Sequence, residues 1–249
     1  SLTSLIRVDG KSYFLMGGRR APANVFAQQS VKVLPTHTIY ELEGAGVHVT
    51  LTFLTPSLPQ DLDILSRPAT YVTWQVHATD GRTHPVQLYF DAGSQIVVNT
   101  DDEPAVWGRY KLGDLTVLRM GSQHQPILEK SGDNLRIDWG YLYLAAPAGS
   151  GIREVASTRK ETIASFTETG GVPDSDDLNL MQPYAQPTPV LAYSFDLGSV
   201  DSTVVSRYVV LAYDDIFSIA YFHRHLRPYW RRNGAGASDV LHWALREYD

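Results

Sequence analysis

The sequence predicts an all-β fold, a large antiparallel two-sheet β-sandwich with a short C-terminal helical segment. Apolar and polar residues alternate strictly in several runs, as in "VHVTLTFLT" and "TYVTWQVHA". Side chains alternate across a strand, so a period of two with one apolar side marks a sheet face that is buried. Turn signals built on Gly and Asp separate these runs at the spacing of a sandwich. Strand-length runs do not alternate with helical ones, which argues against a parallel α/β arrangement.

Taken in order, "SLIRV" and "SYFLM" flank Asp9-Gly10 as a two-residue hairpin. Val47, Val49, Leu51 and Phe53 share one face of the next alternating run, and Val72, Trp74, Val76 and Ala78 share one face of another. Asp80-Gly81 then reads as a second hairpin, leading to a strand with Val86, Leu88 and Phe90 on its apolar side. "KLGDLTVLRM" and "KSGDNLRIDWGYLYLA" add Gly-Asp turns with strands behind them, and "KETIASFTE", "VLAYSFDLG" and "VVSRYVVLAYD" are each of strand length. Between them, residues 168–189 are rich in Pro, Asp and Gly and read as a long surface loop.

The sandwich is expected over residues 1–213, with residues 214–249 as a helical linker or the start of a following helical domain. "DIFSIAYFHRHLRPYW" places Ile216, Ile219, Ala220, His223 and Leu226 near helical spacing, with Asp214 or Asp215 as the cap. After "RRNGAGA", Ser238 is expected to cap a second helix whose stripe is Val240, Leu241, Ala244 and Leu245. That stripe either docks on the sandwich or opens a helical domain beyond it.

Composition removes several function classes. The 249 residues carry a net charge of −6, and the longest basic cluster is Arg231-Arg232, so a nucleic-acid surface is not expected. With no cysteine, a thiol nucleophile, a thiolate metal site and an iron–sulfur cluster are excluded. No apolar run approaches the ~18 residues of a membrane span.

The motifs are weak as chemistry. "GAG" at 44–46 lacks the later glycine of a dinucleotide loop, and "GSG" at 149–151 is not a nucleophile elbow. His223 and His225 sit two apart, a poor spacing for helical metal chelation. Asp61 and Asp63 could offer oxygen ligands to a hard cation, but a lone D-x-D is first of all a turn pattern. With Arg67 they lie between Pro59 and Pro68, which deny backbone donors and favour extended flanks. Asp63 is expected to accept backbone N–H groups or to pair with Arg67 in a structural corner. Trp139, Tyr141 and Tyr143 fall on one strand face, suited to stacking on sugar rings or to packing against a neighbouring layer. No catalytic, cofactor or metal residue is assigned. The ligand or domain-interface candidates are Asp61, Asp63, Arg67, Trp139, Tyr141, Tyr143, His223 and Trp230.

Three long strings carry a family likeness: "LTFLTPSLPQDLDILSRPATYVTW", "VLRMGSQHQPILEKSGDNLRIDWGYLYLA" and "AYDDIFSIAYFHRHLRPYWRRNG". They resemble the N-terminal region of the glutaminase A family, and the likeness runs from "RVDGKSYFLMGG" to "ALREYD". The resemblance implies an N-terminal β-sandwich that precedes a helical domain of the six-hairpin, glycosidase-like type. It also implies a larger secreted or envelope-associated protein that hydrolyses glutamine to glutamate and ammonia. The partner it implies is that helical catalytic domain, with glutamine as a possible ligand. Independently of the resemblance, the aromatic face leaves open a carbohydrate-binding or ancillary module of a glycoside-hydrolase-like enzyme, with a glycan ligand. No residue of the matching strings is known to be catalytic, so this chain is expected to be inactive alone.

Overall fold

The alternating runs become strands whose apolar sides meet across two antiparallel sheets. The structure, a computed structural model, describes residues 1–17, 24–179 and 188–248. One sheet has the order β11 (Ile152–Thr158), β12 (Pro189–Val200), β7 (His84–Gly93), β1 (Leu2–Val8) and β2 (Lys11–Met16). The eight-stranded sheet runs β3 (Ala27–Val33), β4 (His37–Gly44), β5 (Val47–Leu54), β6 (Ala69–Ala78), β13 (Val205–Asp214), β10 (Tyr141–Pro147), β9 (Leu115–Ser122) and β8 (Ala105–Leu112). A separate hairpin pairs β14 (Ile219–Tyr221) with β15 (Arg224–Leu226). Three helices complete the fold: α1 (Leu62–Ser66), α2 (Arg159–Thr169) and α3 (Ala237–Arg246). None among the described residues is long and apolar enough to cross a membrane.

Between the sheets lies a hydrocarbon core containing the residues that alternation selected: Val47, Val49, Leu51, Val72, Trp74, Val76, Val86, Leu88 and Phe90. Trp74 is fully buried at the centre, its ring 5.4 Å from Phe90 and 6.2 Å from Phe195 of the opposite sheet. A buried indole needs a partner for its N–H. Trp74 Nε1 donates to Ser4 Oγ at 3.1 Å, and Ser4 Oγ donates on to the Tyr89 carbonyl at 3.1 Å. This polar thread crosses the core with each link satisfied.

Four local expectations are corrected. Asp80-Gly81 does not close a hairpin within one sheet, because β6 belongs to the eight-stranded sheet and β7 to the five-stranded one. The turn carries the chain across the sandwich, which is why Trp74 and Phe90 meet face to core. "KETIASFTE" is not a strand but most of α2. Its cap was written locally: Thr158 Oγ1 accepts from the Glu161 amide, Glu161 reaches back to Ser157 and Thr158, and Gly170 closes the helix at φ +83°. The helix occupies the start of the stretch read as a long loop, and residues 180–187 of that stretch lie outside the described residues.

The helix expected over residues 215–230 is a hairpin followed by a short turn of 3-10 helix at Tyr229–Arg231. Ile216, Phe222 and His223 take φ of +61°, +45° and +61°, which a right-handed helix does not allow. Asp214 and Asp215 cap no helix. Asp214 Oδ1 accepts from the Ile216 amide at 3.0 Å, and Asp215 accepts from Ser218 Oγ at 2.5 Å, folding the chain back at once. The expected stripe disperses, with Ile219 and Leu226 exposed. At α3, finally, Gly236 rather than Ser238 is the N-cap, and the Asp239 carboxylate accepts from the Gly236 amide at 2.8 Å.

Candidate functional site

The proline-fenced corner folds as α1. Asp61 is its N-cap, and Oδ1 accepts from the amides of Asp63 at 3.0 Å and Ile64 at 3.1 Å. Asp61, not Asp63, therefore takes the backbone donors. Nor does Asp63 pair with Arg67: its carboxylate meets Arg232, while Arg67 meets Glu247. The Arg67 guanidinium also lies 4.9 Å from the centre of the Trp243 ring. One short corner is thus tied to the C-terminal segment at both of its ends.

That segment covers the outer face of the eight-stranded sheet. Val240, Leu241 and Ala244 of α3 are buried against Ala69, Tyr71, Leu115, Val117, Tyr143 and Val210. The apolar stripe read from the sequence is therefore covered by the sandwich itself. Tyr71 Oη donates to the Ala244 carbonyl at 2.7 Å, locking helix to sheet. Burial, with the Glu247 carboxylate adding to it, pushes the Tyr71 phenol up to about 12. Tyr248 stacks on Tyr208 at 3.7 Å and lies 5.2 Å from Tyr71. Trp230 is buried in the same layer, and Arg231 donates to Asp214 at 3.0 Å. Burial raises the Asp214 carboxyl, and the Arg231 charge opposes that rise.

Where α1, the loop after Trp230 and α3 converge, they enclose a cleft of about 490 Å³ lined by Asp63, Arg67, Trp230, Arg232, Asp239 and Trp243. Its charges are already in use: Asp63 on Arg232, Arg67 on Glu247, Asp239 on a backbone amide. A guanidinium has five N–H donors, and a single carboxylate contact leaves others available. Among the described residues, the buried Nε of Arg67 has no hydrogen-bond partner. The remaining terminal N–H groups of Arg67 and Arg232 give the cleft donors for carbonyl or carboxylate oxygens, while its own ion pairs hold its walls.

Of the sequence candidates, Asp63, Arg67 and Trp230 come together here, with Asp61 holding the corner behind them. The aromatic row forms in part: Tyr141 and Tyr143 share the face of β10 that packs toward α3, and Trp139 leaves it. Trp139 precedes β10 in a bend and donates from Nε1 to the Phe217 carbonyl at 3.0 Å. Tyr141 lies against Arg119 at 4.6 Å, and Tyr143 is 6% exposed beneath α3. His223 sits exposed at the hairpin tip. Arg232, Asp239, Trp243 and Glu247 were not singled out from the sequence. Arg232 stood in the longest basic cluster and Trp243 beside the α3 stripe, but neither position signals a partner some 170 residues away.

Comparison with known proteins finds one family model and two curated relatives. A family model described as "Domain of unknown function (DUF5127)" matches residues 36–249. Glutaminase A of Aspergillus oryzae is 28% identical over 199 residues, which are 80% of this chain and 28% of that protein. A probable glutaminase of Arthroderma benhamiae is 28% identical over 169 residues, 64% of this chain and 18% of that protein. The chain thus spans less than a third of the length of either relative. A solved structure of a candidate kojibiose phosphorylase from human microbiome covers 84% of this chain and 20% of its own, at a TM-score of 0.37 and 11% identity. That likeness is too slight to carry an argument.

Proposed function

We infer a function from one premise: this chain belongs to the family described as a domain of unknown function, DUF5127. We propose that it is the accessory β-sandwich domain of a glutaminase-like hydrolase, inactive alone and supporting a helical catalytic domain. In this reading residues 214–249 form the linker toward that domain, and the whole protein hydrolyses glutamine to glutamate and ammonia outside the cell or in its envelope. Support comes from the 28% identity to glutaminase A, which extends over most of this chain but a minor part of that enzyme.

The observation that carries the reading is the exposed surface of the hairpin that precedes the cleft in the chain. The hairpin exposes Ile219, Tyr221, Phe222 and Leu226, with Phe222 at 79%. Residues 216–234 include four arginines and no acid, in a chain that is acidic as a whole. Aromatic and arginine side chains are the types enriched at protein interfaces, where they anchor a partner. A two-stranded hairpin is marginal by itself, so a covering partner gives it a reason to persist. The carbohydrate reading rested on an exposed row of Trp139, Tyr141 and Tyr143, and Tyr143 lies buried under α3.

The test is ammonia release from glutamine by the purified chain. No turnover above background is expected, because the carboxylates of the cleft serve its ion pairs and its helix cap. Turnover that a single substitution in this chain abolishes would overturn the accessory role.

A further inference from the structure

The geometry points to His84 as a proton-operated clamp: its imidazolium holds the β1–β2 turn and the β6–β7 crossing together at one end of the sandwich, and loss of that proton releases one of them. His84 opens β7 and is 5% exposed. Both ring nitrogens face carboxylates. Nδ1 is 2.7 Å from Asp9 Oδ2, in the β1–β2 turn, and Nε2 is 3.1 Å from Asp80 Oδ1, in the β6–β7 connection. A neutral imidazole has one donor and one acceptor, so it can satisfy only one of these oxygens and turns a lone pair toward the other. The protonated ring donates to both.

The surrounding turns are shaped around this group. The Asp9 amide donates to the Pro85 carbonyl at 3.2 Å, and the Thr79 amide donates to the Gly46 carbonyl at 2.8 Å. Gly46, in the β4–β5 turn, has φ +77°, and a Cβ there would lie 2.7 Å from Asp80 Oδ2 and 3.1 Å from His84 Nε2. The clamp therefore joins the β1–β2 hairpin of the five-stranded sheet to the crossing between the sheets, and the β4–β5 turn of the eight-stranded sheet is bonded to that crossing through Thr79.

The charged groups facing the ring are Asp9 from one side and Asp80 from the other. Arg82 stands next along the β6–β7 turn, and its amide donates to Asp80 Oδ1 at 2.9 Å. Asp201, beside β12, accepts from the Thr203 amide at 2.7 Å. His48 and Glu41 pair with each other at 2.8 Å on β5 and β4. The two hydrogen-bonded carboxylates raise the His84 pKa, against the opposing effect of burial. With the folded value above the unfolded one of roughly 6.5, the clamp contributes fully below that pH and is lost as pH rises through the folded value. The sandwich end is tightest in acid.

The experiment follows His84 by NMR and the amides of residues 8–11, 44–48 and 78–84 by hydrogen exchange, corrected for intrinsic rates, at about pH 5.5 and about pH 8.5. We expect His84 to titrate above roughly 6.5 and protection of these turns to fall about tenfold per unit of elevation. In Asp80→Asn the titration should move down and the step in protection shrink, and in His84→Gln the step should vanish. A His84 that titrates at or below the ordinary value overturns the clamp, as does a step that persists in His84→Gln. Should His84→Gln fail to fold, Asp80→Asn, altered at a partly exposed position, and the wild-type titration decide the question between them.

Discussion

The two faces of the eight-stranded sheet are covered by different chemistry. Toward the five-stranded sheet it presents Val49, Leu51, Val72, Trp74, Leu142 and Leu144, and the core they enter is almost wholly hydrocarbon. Toward α3 it presents Tyr71, Val117, Tyr143 and Val210, and the contact is completed by a phenol-to-carbonyl hydrogen bond, stacked tyrosines and arginine pairs. The inner face is held by burial, which is strong and indifferent to direction. The outer face adds to the burial of Val240, Leu241 and Ala244 a set of directional contacts of about 1 kcal/mol each. A surface joined by such contacts can seat a second unit without that unit becoming part of the folding core.

This contrast can be broken at several depths. Trp74→Ala should have the largest effect, costing about 3–5 kcal/mol and lowering the urea midpoint of the whole sandwich, since the ring is fully buried and fills the space between the sheets. A variant that merely loosens the C-terminal segment would place the core elsewhere.

Leu241→Ala comes next. Removing this fully buried side chain should weaken the docking of α3 by about 2–5 kcal/mol. Hydrogen exchange should rise over residues 237–246 while amides of β6, β10 and β13 stay protected. If the sheet amides lose protection in parallel, the outer layer and the core form one cooperative unit and the distinction between the faces fails.

Tyr71→Phe probes a single directional contact. Loss of the bond to the Ala244 carbonyl should cost about 1 kcal/mol. Because the phenol is pushed up to about 12 in the folded state, against an ordinary value near 10, the folded protein holds this proton more tightly. The contribution is therefore present below about pH 10 and is lost as pH rises toward about 12. Fluorescence of Trp243 against pH should show α3 loosening across that window in the wild type. Tyr71→Phe should remove part of that transition, with the remainder assigned to Tyr143, whose phenol is also raised to about 12 by burial under the same helix.

Much of the fold was legible because its signals are local. Asp9-Gly10 forms its hairpin with φ of +48° and +80°, and Asp61 caps the corner that Pro59 and Pro68 enclose. The same holds for α2 in retrospect, since a Thr-x-x-Glu start and a Gly stop were both present in "TRKETIASFTETGG". Half the candidate site was legible too, in Asp63, Arg67 and Trp230. Their partners were not. Arg67 and Glu247 are 180 residues apart, and no local pattern distinguishes a carboxylate that will meet a guanidinium from one left in solvent.

Residues 214–226 show where local reading runs out. Ile216, Ile219 and Leu226 have helical spacing, yet the two aspartates turn the chain and the hairpin leaves those side chains outside the core. Tyr71 and Tyr89 mislead in the other direction: each stands on the polar side of its run, and each is buried by a helix from a distant part of the chain.

The sequence by itself determined the long alternating strands such as β5, β6 and β7, the side of each that enters the central core, and local turns such as Asp9-Gly10. These follow from the two-residue repeat of the strand and from the backbone freedom of Gly and Asp, both properties of a few adjacent residues. Only the tertiary structure decided which sheet β7 joins, what covers each outer face and which carboxylate answers Arg67. Those outcomes depend on competition for burial and for charge partners among segments far apart in the chain, and that competition is settled only when the two sheets close on each other.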